Sequence, residues 1–174
     1  MKKIIAIALL IVSTGAFAQT KSISKAKVSF ELKNLGIKTG GVIGGIQGNI
    51  NFDPINLAGS KIDATADVNT INTDNDMRDA HLKKADYFDV EKYPKMNLSS
   101  ITFKKNGSSY VGQFNLTIKG ITKPVEVLFN YSALANGYFF KGSFKINRKD
   151  FTIGGNSMTM SDDVTITFEA ETAK

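Results

Sequence analysis

The stretch Tyr110–Asn147, YVGQFNLTIKGITKPVEVLFNYSALANGYFFKGSFKIN, decides the fold. Tyr110, Gly112, Phe114, Leu116 and Ile118 alternate with Val111, Gln113, Asn115 and Thr117. After Lys119-Gly120 the rhythm resumes: Val125, Val127, Phe129 and Tyr131 against Glu126, Asn130 and Ser132, then Phe140, Phe144 and Ile146. A period of two places one side-chain set on each face of a strand, so each run is a strand with one buried face. Lys119-Gly120 and Asn136-Gly137 supply the turns, and Asn136-Gly137 is the pair most favoured by a two-residue type I′ hairpin.

The same rhythm extends outward from this stretch. Val28, Phe30 and Leu32, then Ile46, Gly48, Ile50 and Phe52, then Ile62, Ala64, Ala66 and Val68 form earlier alternating runs, and Val164, Ile166, Phe168 and Ala170 a last one. Met96 to Phe103 is also a strand, but its apolar phase switches between Leu98 and Ile101, which predicts a bulge. One segment breaks the alternation: Asp74 to Phe88 reads as a short helix, with Asp74 or Asp76 as N-cap and Met77, His81, Ala85 and Phe88 at helical spacing. The chain is therefore expected to be all-β with a short helical insertion, its eight antiparallel strands closed into a barrel because closure removes exposed edges. Such a barrel either fills itself with side chains or encloses one small ligand.

The first residues, MKKIIAIALLIVSTGAFAQT, read as a secretory signal, with Lys2 and Lys3, an apolar run from Ile4 to Val12 and an A-x-A site at Ala16-Phe17-Ala18. The run is too short for a membrane span, and nothing later replaces it. Cleavage after Ala18 leaves residues 19–174, 156 residues, as one domain. An exported protein is expected. With Cys 0, stability cannot come from disulfides and no lipoprotein anchor has a residue to attach to. Beyond the leader 20 basic residues face 16 acidic ones, dispersed rather than striped, which argues against nucleic acid.

Chemistry is sparsely provided for. One histidine, His81, and no cysteine leave too few ligands for a transition-metal site, and no cofactor is indicated. The run DNDMRD opens like a calcium loop, but Arg78, Asp79 and Ala85 occupy positions needing a ligand, a glycine and a glutamate. No G-x-S-x-G elbow exists, and Asp79 and His81, two apart on a helix, point to different sides. TGGVIGGIQG, Thr39 to Gly48, lacks a phosphate-binding pattern and reads as a kinked strand or hairpin, or as a mobile lip over a cavity. The inward aromatics and the methionines fit either a packed core or a pocket for an apolar chain.

INTDNDMRDAHLKKADYFDVEKYPKMNLSS (Ile71 to Ser100), FNLTIKGITKPVEV (Phe114 to Val127), FKINRKDFTI (Phe144 to Ile153) and SDDVTITFEAE (Ser161 to Glu171) resemble, in order, the motifs of the YceI-like family of lipocalin-like polyisoprenoid-binding proteins. The stretch from Ser29 to Pro54 resembles its opening strands. The resemblance implies an extended eight-stranded antiparallel barrel, periplasmic and non-catalytic, holding an isoprenoid or other long-chain lipid, with a homodimer as an assembly open to it. Phe30, Phe52, Met77, Leu82, Phe88, Phe114, Leu116, Phe129, Tyr131, Phe144, Met158, Met160 and Phe168 are then expected to line the pocket. Arg78, Asp79 and His81 match the family's R-D-x-H-L element, and Asn147, Arg148 and Asp150 its N-R-x-D-F element; these would line the mouth or brace the helix. Thr152 departs from the family's usual glycine. A filled barrel serving as an interaction module, and an enzyme using Asp79, His81 and Arg148, are the alternative readings.

Overall fold

The computed structural model describes residues 20–173; the expected signal segment lies outside them. In chain order the strands are β1 (Lys21–Asn34), β2 (Ile37–Ile43), β3 (Gln47–Asn51), β4 (Lys61–Asp67), β5 (Lys95–Asn106), β6 (Ser109–Ile118), β7 (Ile121–Leu134), β8 (Gly137–Asn147) and β9 (Asp163–Thr172), with helix α1 (Asp76–Leu82) between β4 and β5. All pairings are antiparallel, and β1 closes the sheet by pairing β9 on one edge and β2 with β3 on the other. β2 and β3 are two pieces of one strand. Both meet β1 in a single register, Val28↔Ile43 continuing as Ser22↔Asn49, so the barrel has the eight strands that the alternation predicts.

The predicted bulge lies in β5, where the pairing with β6 shifts between Ser100 and Thr102 and turns Ile101 out to solvent. The turns differ from expectation. Leu134 pairs with Gly137, so the β7–β8 loop is Ala135-Asn136 and not Asn136-Gly137. Gly137 lies against the Thr172 carbonyl with a φ of 151°, a conformation and a closeness that suit glycine. Positive φ at both central residues, the mark of a type I′ turn, occurs instead at Lys119-Gly120 and at Leu35-Gly36, and the latter makes the β1–β2 hairpin that the alternation alone did not reveal.

The helix is shorter than its expected span, and Asn75, not Asp74 or Asp76, caps it by accepting from Arg78 N at 2.9 Å. After Leu82 the chain continues through turn hydrogen bonds, Phe88 N to Leu82 O at 3.0 Å and Asp89 N to Lys84 O at 2.9 Å. Gly41 explains part of the TGGVIGGIQG run: a Cβ there would lie 2.4 Å from the Asn72 carbonyl, where Asn72 and Val42 exchange backbone bonds of 2.8 and 3.0 Å. That glycine lets the chain leading into α1 dock on β2.

One end of the barrel is filled by aromatic rings. Phe52 sits at its centre with Phe103, Tyr110, Phe129, Tyr131 and Phe140 at centroid distances of 5.0–5.7 Å, most of them edge to face. Phe52→Ala therefore removes the shared partner of five rings, and we expect a loss of about 3–5 kcal/mol, read as a lower urea midpoint at unchanged slope.

Candidate functional site: an apolar cavity between an aromatic plug and a stitched cap

Between the plug and the opposite end lies a cavity that leaves about 170 Å³ for the centre of a water-sized sphere. Its wall comes from alternate residues of every strand: Val28 and Phe30 of β1, Ala64 and Ala66 of β4, Leu116 and Ile118 of β6, Phe144 and Ile146 of β8, Ile166 and Phe168 of β9 among them. Along β1 the lining runs from Ile23 to Phe30, roughly 20 Å of strand at about 3.3 Å per residue. Thr65, Asn97 and Glu169 touch it from the outward phase of their strands; every other lining residue is apolar.

Of the residues expected to line a pocket, Phe30, Phe114, Leu116, Phe129, Phe144 and Phe168 do so. Phe52 and Tyr131 belong to the plug. Phe88 packs on the core from the cap, and Leu82, half-buried on α1, is not in the wall. Met77 and Met158, contrary to expectation, lie outside the wall. They are 83% and 104% exposed, because α1 turns Asp79 and Leu82 toward the barrel and so presents the opposite face, and because Met158 sits on an outer loop. Met160 forms a bridge with Asn34 outside the wall. Lining residues outside that expected set, such as Met96, Leu98 and Ile118, carry the same period-two signal, but aliphatics in a strand are indistinguishable by sequence from ordinary core.

The polar motif residues build the cap at the far end. Asp79 Oδ1 accepts from the buried Thr73, from its backbone N at 3.0 Å and from its hydroxyl, while Arg78 donates through Nε to Thr73 Oγ1 at 2.8 Å and through Nη2 to Thr73 O at 2.6 Å. Both side chains brace α1 to the strand-like segment that precedes it. His81 sits edge-on to the Tyr87 ring at 4.9 Å; among the described residues no hydrogen bond to its side chain accompanies that contact, and Asp79 is committed elsewhere. Asn147 caps a 3-10 turn, Arg148–Phe151, by accepting from Lys149 N at 2.9 Å, and Asp150 on that turn is exposed.

Arg148 is 2% exposed and holds the whole loop that follows. Its guanidinium donates to the carbonyls of Ile153 (2.8 Å), Gly155 (2.7 Å) and Ser161 (3.1 Å) and pairs with Asp162 Oδ1 at 2.9 Å. Lys149 and then Arg148 keep the Asp162 carboxyl below its ordinary value. The two cap segments are stitched together by Gly154 N to Asp86 O at 2.8 Å and by Lys119 Nζ, which reaches Ala85 O at 2.6 Å from the β6–β7 turn. Phe151, 1% exposed, and Ile153 close the core beneath them.

No cluster of three or more potential metal-ligating His, Cys, Asp or Glu side chains occurs among the described residues. At the plugged end, burial first and the neighbouring Tyr138 next push the Tyr131 phenol up from 10.0 to about 12. A raised phenol stabilises the fold below the unfolded value and loses that contribution as pH rises through the folded one. We expect alkaline unfolding to set in between pH 10.0 and about 12, and Tyr131→Phe to flatten the thermal midpoint across that window. Arg148→Met should cost on the order of 3 kcal/mol, since it takes the donor from the carbonyls of Ile153, Gly155 and Ser161 while Lys149 keeps Asp162 paired, with new protease cleavage within residues 153–162 as its local signature.

Comparison with known proteins agrees with this architecture. The YceI-like domain matches residues 20–172. A UPF0312 protein of Photorhabdus laumondii is 34% identical over 155 residues, 83% of this chain and 81% of the relative. Among solved structures, Burkholderia cenocepacia BcnA superposes with a TM-score of 0.80 at 26% identity, covering 85% of this chain and 96% of that one. A polyisoprenoid binding domain from Saccharophagus degradans shares the fold, with a TM-score of 0.70 at 14% identity over 87% of this chain and 97% of that one. With an eight-stranded closed barrel, one short helix and the domain matched over nearly all the described residues, the chain belongs to the YceI-like family.

Proposed function

We propose that this protein is a non-catalytic periplasmic carrier or store for an apolar-tailed molecule, an isoprenoid or comparable long-chain lipid, held in the barrel cavity. The observation that carries the reading is the cavity wall: some 20 Å of continuous apolar lining with no polar group on its inward phase. A chain without hydrogen-bonding groups needs only such a wall. Each buried CH₂ contributes about 0.8 kcal/mol, so ten contribute on the order of 8 kcal/mol before the ordering of the chain is set against them. The S. degradans relative, whose fold is shared, is a polyisoprenoid binding domain, which supports this class of ligand. The leader-like residues 1–18 support export, and no helix among the described residues is long and apolar enough to cross a membrane.

The cavity speaks against a fully packed interaction module. The enzyme reading finds little to work with, because Asp79 is engaged with Thr73, His81 with the Tyr87 ring and Arg148 with the loop after it. The test is native mass spectrometry with solvent extraction on protein purified from its own periplasm. We expect a stoichiometric adduct whose extracted mass gives the lipid class, and its loss in Ala66→Trp, which fills the wall at β4, with strand content unchanged by circular dichroism. Bare protein that takes up neither isoprenoids nor fatty acids would overturn the carrier reading in favour of an interaction module.

A further inference from the structure

Both ends of the barrel are packed with side chains. The aromatic plug occupies one, and the cap of α1, Tyr87, Phe88, Phe151 and Ile153, tied by Lys119 and Arg148, covers the other. The barrel wall, in contrast, lacks its ladder at two places: between β7 and β8 beyond Leu128↔Ser143, where the 3-10 turn Arg148–Phe151 packs against both strands, and between β1 and the β2–β3 strand. Ladder pairing between β1 and the β2–β3 strand stops at Val28↔Ile43 and resumes only at Ser22↔Asn49. Over that interval, five residues or roughly 17 Å, the two strands run side by side without a ladder.

Matching irregularities create the seam. Ile23 and Ala26 both face the cavity, as do Ile43 and Ile46, although residues three apart on a regular strand face opposite sides. Each strand therefore carries one extra residue, and because both do, the register is the same above and below the break. On β1 the extra residue shows independently as a register shift against β9 between Ile23 and Lys25. On the other strand Gly44 turns away from β1 toward β4, accepting from Asp67 N at 3.2 Å and donating to Thr70 Oγ1 at 2.7 Å. Gly45 follows with φ 60°, and a Cβ there would lie 2.6 Å from Asp67 Cβ, so only glycine lets the strand peel off in this way.

We infer that this seam is the route by which the apolar chain passes into and out of the barrel, sideways through the wall between β1 and Gly44–Ile46. Four of the cavity's lining residues, Ile23, Ala26, Ile43 and Ile46, form the edges of the seam, so the cavity reaches it directly. Ala26 is the smallest side chain on the β1 edge. Opening here separates no ladder bonds, whereas either end requires dismantling a ring cluster or a hydrogen-bonded cap. The inference rests on the carrier reading above.

A strap across the seam tests it. Lys25 and Gln47 are exposed, on the outward phase of the two edges, and the chain's freedom from cysteine makes Lys25→Cys/Gln47→Cys a unique thiol pair for a short bis-maleimide. The control strap is Lys104→Cys/Val111→Cys, a paired position of β5 and β6 near the plug. With cis-parinaric acid as fluorescent probe in stopped flow, we expect the seam strap to slow uptake and release about tenfold or more while the equilibrium affinity stays within about twofold, and the control strap to change neither. Unchanged rates in quantitatively strapped protein, or equal slowing by the control, would overturn the seam as the route while leaving the cavity as the binding site. Absence of probe binding to the unstrapped wild-type protein would overturn the carrier reading and this inference together.

Discussion

β1 is the strand on which the barrel depends. It joins the last strand, β9, on one side to its own hairpin partner β2, with β3, on the other, and without it the sheet would expose two long edges. Closure also gives the interior its character: eight strands supply an inward face too wide for small side chains to fill. Phenylalanine and tyrosine fill it at one end, and where alanines and aliphatics line it, a cavity remains.

The same strand carries the cost of closure. A twisted sheet joined to itself must absorb mismatch somewhere, and here a residue is inserted in β1 and another opposite it, so the register survives while the hydrogen bonds between the two strands do not. The bulge in β5 is a different case, since its partner strand stays regular and Ile101 is simply turned outward. Paired insertions weaken a wall; a single one bends it.

The cap shows polar residues acting through backbone rather than through chemistry. Arg78 and Asp79 converge on Thr73, and Arg148 gathers the carbonyls of a loop that has no regular structure of its own. Buried backbone carbonyls require donors, and one guanidinium with five N–H groups supplies them while Asp162 balances its charge. Asp79 and Arg148, which as residue types would suit an acid–base site, thereby hold the barrel's end.

Much of this was legible in the chain. Period-two alternation gave the eight strands, and the phase switch at Leu98–Ile101 gave the bulge, because side-chain direction in a strand is fixed by parity. Parity likewise turns Phe30, Phe114, Phe129, Phe144 and Phe168 inward, where they line the cavity. Met77 and Met158 face solvent because helical phase and loop position are set by Asn75, Asp79 and Arg148, whose partners parity does not reveal. Sequence by itself determined which residues face inward and that the sheet must close. Whether the inside is full or empty, and where the wall is unbonded, only the tertiary structure decided, since volume and register depend on which strands become neighbours, and β1 meets β9 across more than a hundred residues of chain.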